Sequence, residues 1–244
     1  MTKKPSVEIA MPVYNEAVEL EEHIEKLYQF CKNNLQQYAW HITIADNAST
    51  DQTPGIGERL SRNYHEIDLI RLTQKGRGRA VKLVWQNSSA DICCYMDIDL
   101  STELKHLPEL IHAVEKGYAI AIGSRLLPKS QVINRTIQRE FISRSLNLIV
   151  KLLFQTSFSD VQCGFKAVSR QTVENLIPHI KDTAWFMDTE LLIMGEKAGC
   201  RIYEVPVMWS DNPGSTVRVL PTVIGDLTGI MRLFFTRPWR NFHE

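Results

Sequence analysis

One stretch of the chain has immediate chemical meaning: Tyr95-Met-Asp97-Ile-Asp99-Leu-Ser-Thr. Ile92, Cys93, Cys94 and Met96 form an apolar run that leads straight into two carboxylates two positions apart. In an extended chain residues i and i+2 point to the same side, so Asp97 and Asp99 are expected to converge. Two like charges at a strand end repel unless a cation lies between them. A hard divalent ion such as Mg²⁺ or Mn²⁺ suits carboxylates combined with phosphate oxygens. Open α/β sheets bind ligands beyond the carboxyl ends of their strands, which is where this pair falls. The plainer alternative is a solvated loop, since Asp-x-Asp also arises by chance.

Three further polar bursts follow apolar runs. Pro12-Val-Tyr14-Asn15-Glu16 ends the first; Pro12 fixes a turn, and Tyr14 and Glu16 face the strand-end crevice. Asp46-Asn47-Ala-Ser49-Thr-Asp51 ends the second, with Asp46 placed to accept from a base or ribose. Asp51 and Thr53 suit the turn and the start of the next helix. Gln74-Lys75-Gly76-Arg77-Gly78-Arg79 opens a helix with glycines and cations, an arrangement that suits phosphate through backbone N–H groups. A flexible surface turn is its bland counterpart.

These segments must be positioned by alternating strands and helices. Apolar, β-branched runs at 7–11, 41–45, 68–72, 92–96 and 119–122 read as strands. Helical spacing of apolar residues marks 16–34, 55–65, 78–87 and 104–116. This rhythm predicts βαβ units and a mostly parallel sheet covered on both faces. Later, a helical stretch runs to residue 154, strands are expected at 164–168 and 202–209, and a helix at 189–198. Apolar positions near a 3.6-residue period (Leu220, Val223, Ile224, Leu227, Ile230, Met231, Phe234) define an amphipathic segment, 219–244, beyond one domain at 1–218.

Residues 125–144 hold Arg125, Lys129, Arg135, Arg139 and Arg144 against one acid, Glu140. Most such runs are solvated helix faces, yet this one stands in a chain of 28 basic and 28 acidic side chains with zero formal net charge. It is therefore read as a phosphate or anionic-membrane contact. Overall neutrality argues against a dedicated nucleic-acid binder. No apolar run approaches the ~20 residues of a membrane span, and the first residues lack the apolar core of a secretion signal. Five cysteines without zinc spacing read as free thiols in a reducing, cytoplasmic setting.

Taken in order, Pro-Val-Tyr-Asn-Glu, Asp-Asn-Ala-Ser-Thr-Asp, Lys-Gly-Arg-Gly-Arg-Ala and Asp-Ile-Asp resemble family 2 glycosyltransferases of the GT-A fold. Gly123-Ser-Arg125, Asp160-Val-Gln162-Cys-Gly-Phe-Lys166, Trp185-Phe-Met-Asp188-Thr-Glu190 and Val205-Pro-Val-Met-Trp209 with Gly214-Ser215 resemble the dolichyl- and polyprenyl-phosphate glucosyltransferase and mannosyltransferase branch. The likeness spans roughly residues 6–218. It implies a Rossmann-like, mostly parallel mixed sheet and an inverting, metal-dependent hexosyl transfer from a nucleotide sugar to a polyprenyl phosphate. UDP-glucose is favoured over GDP-mannose. Carried over by position, Pro12, Tyr14, Glu16, Asp46, Lys75 and Gly76 would hold the nucleotide. Asp97, Ile98 and Asp99 would meet the diphosphate, with Asp97 and Asp99 on the metal. Arg125, Arg139, Ser143 and Arg144 would meet the acceptor phosphate. Three positions depart from the pattern: Ser101 stands where mannosyltransferases often carry a metal-contacting Gln, Gln74 replaces an Asn, and Arg79 replaces a small residue.

The chemistry narrows the roles. A departing nucleoside diphosphate gains charge, which a metal on Asp99 neutralises, with Lys75, Arg77 and Arg218 as further cations. A phosphomonoester acceptor, whose second pKa is about 6, is already anionic at neutral pH. Arg125 and Arg139 would position it by bidentate contact. Asp188 is the candidate base or sugar-orienting carboxylate. Two other classes stay open: a family 2 enzyme acting on a saccharide or lipid hydroxyl with an obligate carboxylate base, and a nucleotide-sugar-binding or nucleotidyl-transferring protein. A lipid acceptor would draw the enzyme to the cytoplasmic membrane face, and Phe234, Phe235, Trp239 and nearby arginines suit an interfacial helix. The sequence leaves the oligomeric state open.

Overall fold

The computed structural model describes residues 4–211 and 219–242. The first half repeats strand and helix: β1 (Ser6–Val13), α1 (Leu20–Asn34), β2 (Ala39–Asp46), α2 (Thr53–Asn63), β3 (Ile67–Arg71), α3 (Arg77–Asn87), β4 (Ile92–Met96), α4 (Leu107–Glu115) and β5 (Ile120–Ser124). The second half contains β6 (Gln131–Ile133), α5 (Ile137–Phe154), β7 (Phe165–Ser169), α6 (Arg170–Leu176), α7 (Met187–Lys197), β8 (Ile202–Pro206), β9 (Met208–Ser210) and α8 (Val219–Thr236).

Seven strands form one sheet in the order β3-β2-β1-β4-β7-β5-β8. All neighbours are parallel except β7, which runs antiparallel between β4 and β5. This is the mostly parallel, mixed sheet expected from the alternating rhythm. Side-chain alternation divides the core between the two faces. On β4, Cys94 and Met96 join α1 and α4, whereas Cys93 and Tyr95 join α3, α5, α7 and α8. The five cysteines are all free.

Local chemistry explains where the elements begin. Thr136 caps α5 by accepting from the Arg139 amide at 3.3 Å, and Ser169 does the same for α6 through Thr172 at 3.2 Å. The first helix starts at Leu20, not at residue 16, because residues 16 and 17 are tied to the β2 loop. Glu16 N donates to Thr53 Oγ1 (2.8 Å) and Ala17 N to Asp51 Oδ2 (3.3 Å). The strand expected over 202–209 is two strands. β8 stays beside β5, and β9 leaves after Pro206 to pair with β6 in a separate two-stranded sheet. Neither β6 nor α6 was expected from sequence. The C-terminal helix shares the main core: Ile230 and Leu233 are buried with α5 and α7 side chains.

Candidate functional site

The carboxyl ends of β1, β2 and β4 gather the polar bursts. Strand β4 stops at Met96 and the chain turns at once, Leu100 N donating to Asp97 O at 3.2 Å. Asp97 and Asp99 are therefore not i and i+2 of an extended strand, as the spacing suggested. The turn brings them together instead: both line a narrow crevice with Met96, Ser101, Gly164 and Trp209. Asp99 Oδ1 accepts from Ser101 N at 3.0 Å. The Ile98 side chain is buried in the core and does not face the crevice.

Asp97 Oδ1 accepts from Arg77 Nε (3.0 Å) and Nη2 (2.6 Å). Arg77 Nη1 reaches Asp188 Oδ2 at 2.8 Å. The other oxygen of Asp188 accepts from Lys166 Nζ at 2.6 Å and from the Tyr95 hydroxyl. Arg77, Asp188, Lys166 and Tyr95 are buried and Asp97 is partly exposed, and the Arg77 guanidinium lies 4.9 and 4.7 Å from the Tyr95 and Trp185 ring centroids. Burial raises the Asp188 carboxyl, but Lys166 and then Arg77 outweigh it and hold the group below the usual carboxylate range. At Asp97 burial wins over Arg77, and Asp99 adds repulsion, so its carboxyl lies above that range. Gly164 leaves room for the acidic pair: a Cβ at that position would lie 2.0 Å from Asp97 Oδ2 and would displace the carboxylate.

On the nucleotide side, Pro12 is buried in β1, paired with Ala45 of β2. Lys75 Nζ sits 3.2 Å over the Tyr14 ring, a cation–π contact joining the β1 and α3 loops. Glu16 is half-buried; burial, then the nearby Glu19, Asp99 and Asp51 charges, push its carboxyl up to about 7. Asp46 is buried; Oδ1 accepts from Ser49 N (3.0 Å), whereas Oδ2 forms an ion pair with Arg71 Nε at 3.5 Å and accepts no hydrogen bond among the described residues. The expected phosphate cradle at Gly76 is corrected: its N–H donates to Asn47 Oδ1 at 2.5 Å. Gly76 and Gly78 are packing glycines, since a Cβ on either would lie 2.6 Å from the Thr183 carbonyl or Met187 Cβ.

A second charged cluster lies against Trp209, one wall of the crevice. Asp160 accepts from Arg125 N (3.0 Å), Nε (2.7 Å) and Nη2 (2.9 Å). Burial opposes the charge on Asp160, but Arg125 overrides it and lowers the carboxyl to about 2. The Arg125 guanidinium lies 4.9 Å from the Trp209 ring centroid. Trp209 is held against the segment after Asp99 by an antiparallel bridge to Thr102 and by Ser210 N donating to Ser101 O (2.8 Å). Arg139 Nη1 contacts Asp211 Oδ1 at 3.4 Å, and Ser143, one turn on, buries an Oγ with no hydrogen-bond partner among the described residues. Arg144 departs from this group. It projects from the outer side of α5, exposed, and pairs with Glu140 at 2.5 Å. Helical spacing puts residues 139 and 143 on one side and 144 on another. Arg218, with Gly214 and Ser215, lies outside the described residues.

Several residues of the site carried no role in the sequence reading. Lys166 had a signal, a cation inside the apolar run Phe165–Val168. Its position opposite Tyr95 on the β4–β7 ladder delivers it to Asp188. Asp226 and Arg232 are the only charged residues in an otherwise apolar α8. Arg232 clamps Glu190 of α7 with two 2.8 Å bonds, and Gln162 Nε2 donates to Asp226 Oδ2 at 2.8 Å.

Among the described residues no three His, Cys, Asp or Glu side chains are grouped to hold an ion alone. Asp97 and Asp99 do supply hard oxygen donors in one crevice. Such a pair fits Mg²⁺ or Mn²⁺ when phosphate oxygens and water fill the other positions.

An α/β sheet of this topology with an acidic crevice at its carboxyl edge is the GT-A glycosyltransferase architecture. Glucosyl-3-phosphoglycerate synthase from Mycobacterium tuberculosis, solved with Mn²⁺ and UDP-glucose, superposes with a TM-score of 0.68 at 15% identity over 93% of this chain and 79% of that one. That likeness concerns the fold alone. The chain belongs to glycosyl transferase family 2, which it matches over residues 8–177. It is 34% identical to glycosyltransferase AglD of Haloferax volcanii over 94% of this chain, and spans 37% of AglD's length. It is 28% identical to the dolichyl-phosphate beta-glucosyltransferase of Dictyostelium discoideum, over 93% of this chain and 73% of that enzyme.

Proposed function

We propose that the protein transfers a hexose from a nucleoside-diphosphate sugar to a dolichyl or polyprenyl phosphate. The observation that carries this reading is the pairing of the Asp97–Asp99 crevice with the Arg125 cluster through one shared wall, Trp209. The acidic side suits a metal-bound diphosphate; the guanidinium side suits an anionic acceptor. Likeness to the Dictyostelium dolichyl-phosphate beta-glucosyltransferase supports the acceptor and a glucosyl group; UDP-glucose is the donor this reading adopts.

In this reading Asp46 Oδ2, which accepts no hydrogen bond and meets only Arg71 at 3.5 Å, takes a base N–H, and Pro12, Tyr14, Glu16 and Lys75 flank the nucleoside. Asp97 and Asp99 would hold Mg²⁺ or Mn²⁺, and that ion would supply positive charge against the charge growing on the departing diphosphate. Arg125, Arg139 and Ser143 orient the acceptor phosphate. One anionic oxygen of that phosphate forms the new bond to the anomeric carbon from the face opposite the diphosphate. The sugar–diphosphate bond breaks, its electron pair leaves with the nucleoside diphosphate, and the product is the inverted glycosyl phospholipid.

No base is required for such an acceptor. A hydroxyl acceptor would need one, and Asp188 is poorly suited: both oxygens are engaged by Arg77, Lys166 and Tyr95. Asp188 is better read as a positioning residue that fixes Arg77 behind Asp97.

The test is a donor screen with UDP- and GDP-sugars, Mg²⁺ or Mn²⁺, and a short-chain polyprenyl phosphate, following release of nucleoside diphosphate. Acceptor-dependent release of UDP from UDP-glucose is the expected result. Transfer only to hydroxyl acceptors, or release of pyrophosphate, would overturn the reading.

A further inference from the structure

Around Gly164 the chain alternates between the two faces of the sheet. Cys163 and Phe165 are buried on the α1 and α4 side. Gln162, Gly164 and Lys166 turn to the other side. Gln162 Nε2 donates to Asp226 Oδ2 at 2.8 Å, Gly164 abuts Asp97 and Arg77, and Lys166 reaches Asp188. Phe165 pairs with Met96, the last residue of β4. Gln162 therefore stands beyond the carboxyl end of β4, at the sheet edge where the crevice lies, and it is partly exposed.

Its partner is costly for a packing contact. Asp226 is 3% exposed, and its Oδ1 has no hydrogen-bond partner among the described residues. A buried carboxylate so poorly satisfied destabilises the fold, and an apolar residue would dock α8 better. Docking is also provided elsewhere, by the Arg232–Glu190 clamp and by Gly229 against the Phe186 ring. What the carboxylate does fix is the Gln162 amide. An ionised carboxylate only accepts, so Nε2 must face α8 and Oε1 is turned from it, an acceptor left for another group. Trp185, the chain neighbour of Phe186, is 38% exposed and lies over Arg77 at the same edge. An amide acceptor near an exposed aromatic ring suits a hexose, which offers hydroxyl donors on its rim and C–H groups on its faces.

We infer that Gln162, its amide oriented by Asp226 of α8, accepts a hydroxyl of the donor hexose and sets which sugar is taken. Gln162 touches the sugar; Asp226 is a positioning residue. Asp226 lies outside residues 8–177, the part that matches family 2, so a helix beyond that part contributes to sugar choice. This rests on the function proposed above, in that the hexose arrives on a nucleoside diphosphate held at the Asp97–Asp99 crevice.

The test is calorimetric titration of the full chain at pH 8, where the Asp226 carboxyl is charged, with Mg²⁺ or Mn²⁺ and no acceptor. The probes are UDP, UDP-glucose and the UDP-deoxyglucoses lacking the 2-, 3-, 4- or 6-hydroxyl. Gln162→Met should leave UDP affinity unchanged and weaken UDP-glucose about fivefold. One deoxy sugar should bind the intact chain about fivefold more weakly than UDP-glucose, yet lose nothing further in Gln162→Met, because it lacks the hydroxyl that Gln162 accepts. Asp226→Leu should show the same sugar-specific loss. Asp226→Asn, whose Oδ1 can still accept from Nε2, should keep the selectivity of the intact chain. No loss, or a loss shared equally by all the sugars or by UDP, would overturn the inference. A chain that binds no UDP-glucose would overturn it together with the donor adopted above. Sugar-specific loss in a chain that transfers to no lipid phosphate would sink the functional reading and leave the sugar contact standing. Transfer to lipid phosphate with a uniform loss would do the reverse.

Discussion

Trp209 supports Arg125 on its face, 4.9 Å from ring centroid to guanidinium carbon, while lining the crevice that holds Asp97 and Asp99. One aromatic plane thus sets the spacing between the acidic and guanidinium sides. Trp209→Leu removes a cation–π contact worth roughly 0.5–2 kcal/mol and frees Arg125 to swing about Asp160. The KM for acceptor phosphate should rise several-fold while nucleotide affinity, measured by calorimetric titration, changes little. A loss confined to nucleotide binding would contradict this arrangement.

Gly164→Ala puts a methyl group 2.0 Å from Asp97 Oδ2 and 2.9 Å from Arg77 Nη2, both belonging to side chains held by partners. Overpacking of this kind costs about 1–3 kcal/mol. The variant should melt earlier and lose metal-dependent nucleotide binding. Wild-type affinity would show that Asp97 can move freely.

Asp99→Asn keeps an oxygen to accept the Ser101 amide but removes the charge. The intact chain is expected to bind its nucleotide more tightly with Mg²⁺ or Mn²⁺ than with chelator, and the variant to lose that gain. Titrations in both conditions read the difference directly.

Lys166→Met leaves the fully buried Asp188 with Arg77 and Tyr95 but without its closest cation. Breaking a buried pair from one side costs on the order of 3–5 kcal/mol. Urea denaturation should register this as a lower midpoint with an unchanged slope.

Asp226 carries a pH signature. Burial, then repulsion from Asp182 and Asp188 against one Gln162 bond, pushes its carboxyl up to about 7 from 3.8. Between these values the folded chain holds a proton that the unfolded chain has released, so stability falls as pH rises through that window. Asp226→Asn cannot ionise. Its thermal midpoint relative to the unaltered chain should therefore be higher at pH 8 than at pH 5, whereas a constant offset would remove Asp226 as the source.

Much of this was legible in the sequence because the period-2 and period-3.6 patterns of residues 6–116 are local. The acidic pair was found for a partly mistaken reason: strand parity suggested convergence, and a turn at Asp97 achieves it. The partners that hold the pair escaped because they are distant in the chain. Lys166 and Asp188 reach Asp97 only through Arg77 and the antiparallel β7, a register that spacing alone does not encode. Arg144 stands beside Arg139 both in the positional resemblance and in the run of cations, and neither shows which side of a helix a residue occupies. The lone Asp226 and Arg232 in an apolar α8 were visible, but their partners Gln162 and Glu190 were not.

The reversed direction of β7 has a consequence for how the molecule is made. Strands β1 to β4 complete a parallel half-sheet by residue 96, yet the inner edge of β4 stays bare until residues 165–169 emerge and insert beside it. During synthesis this half-sheet precedes its neighbour by some seventy residues, with an unpaired strand edge exposed to other nascent chains. The crevice beside Asp97 and Asp99 therefore closes only when Gly164 and Trp209, made much later, arrive to complete its wall.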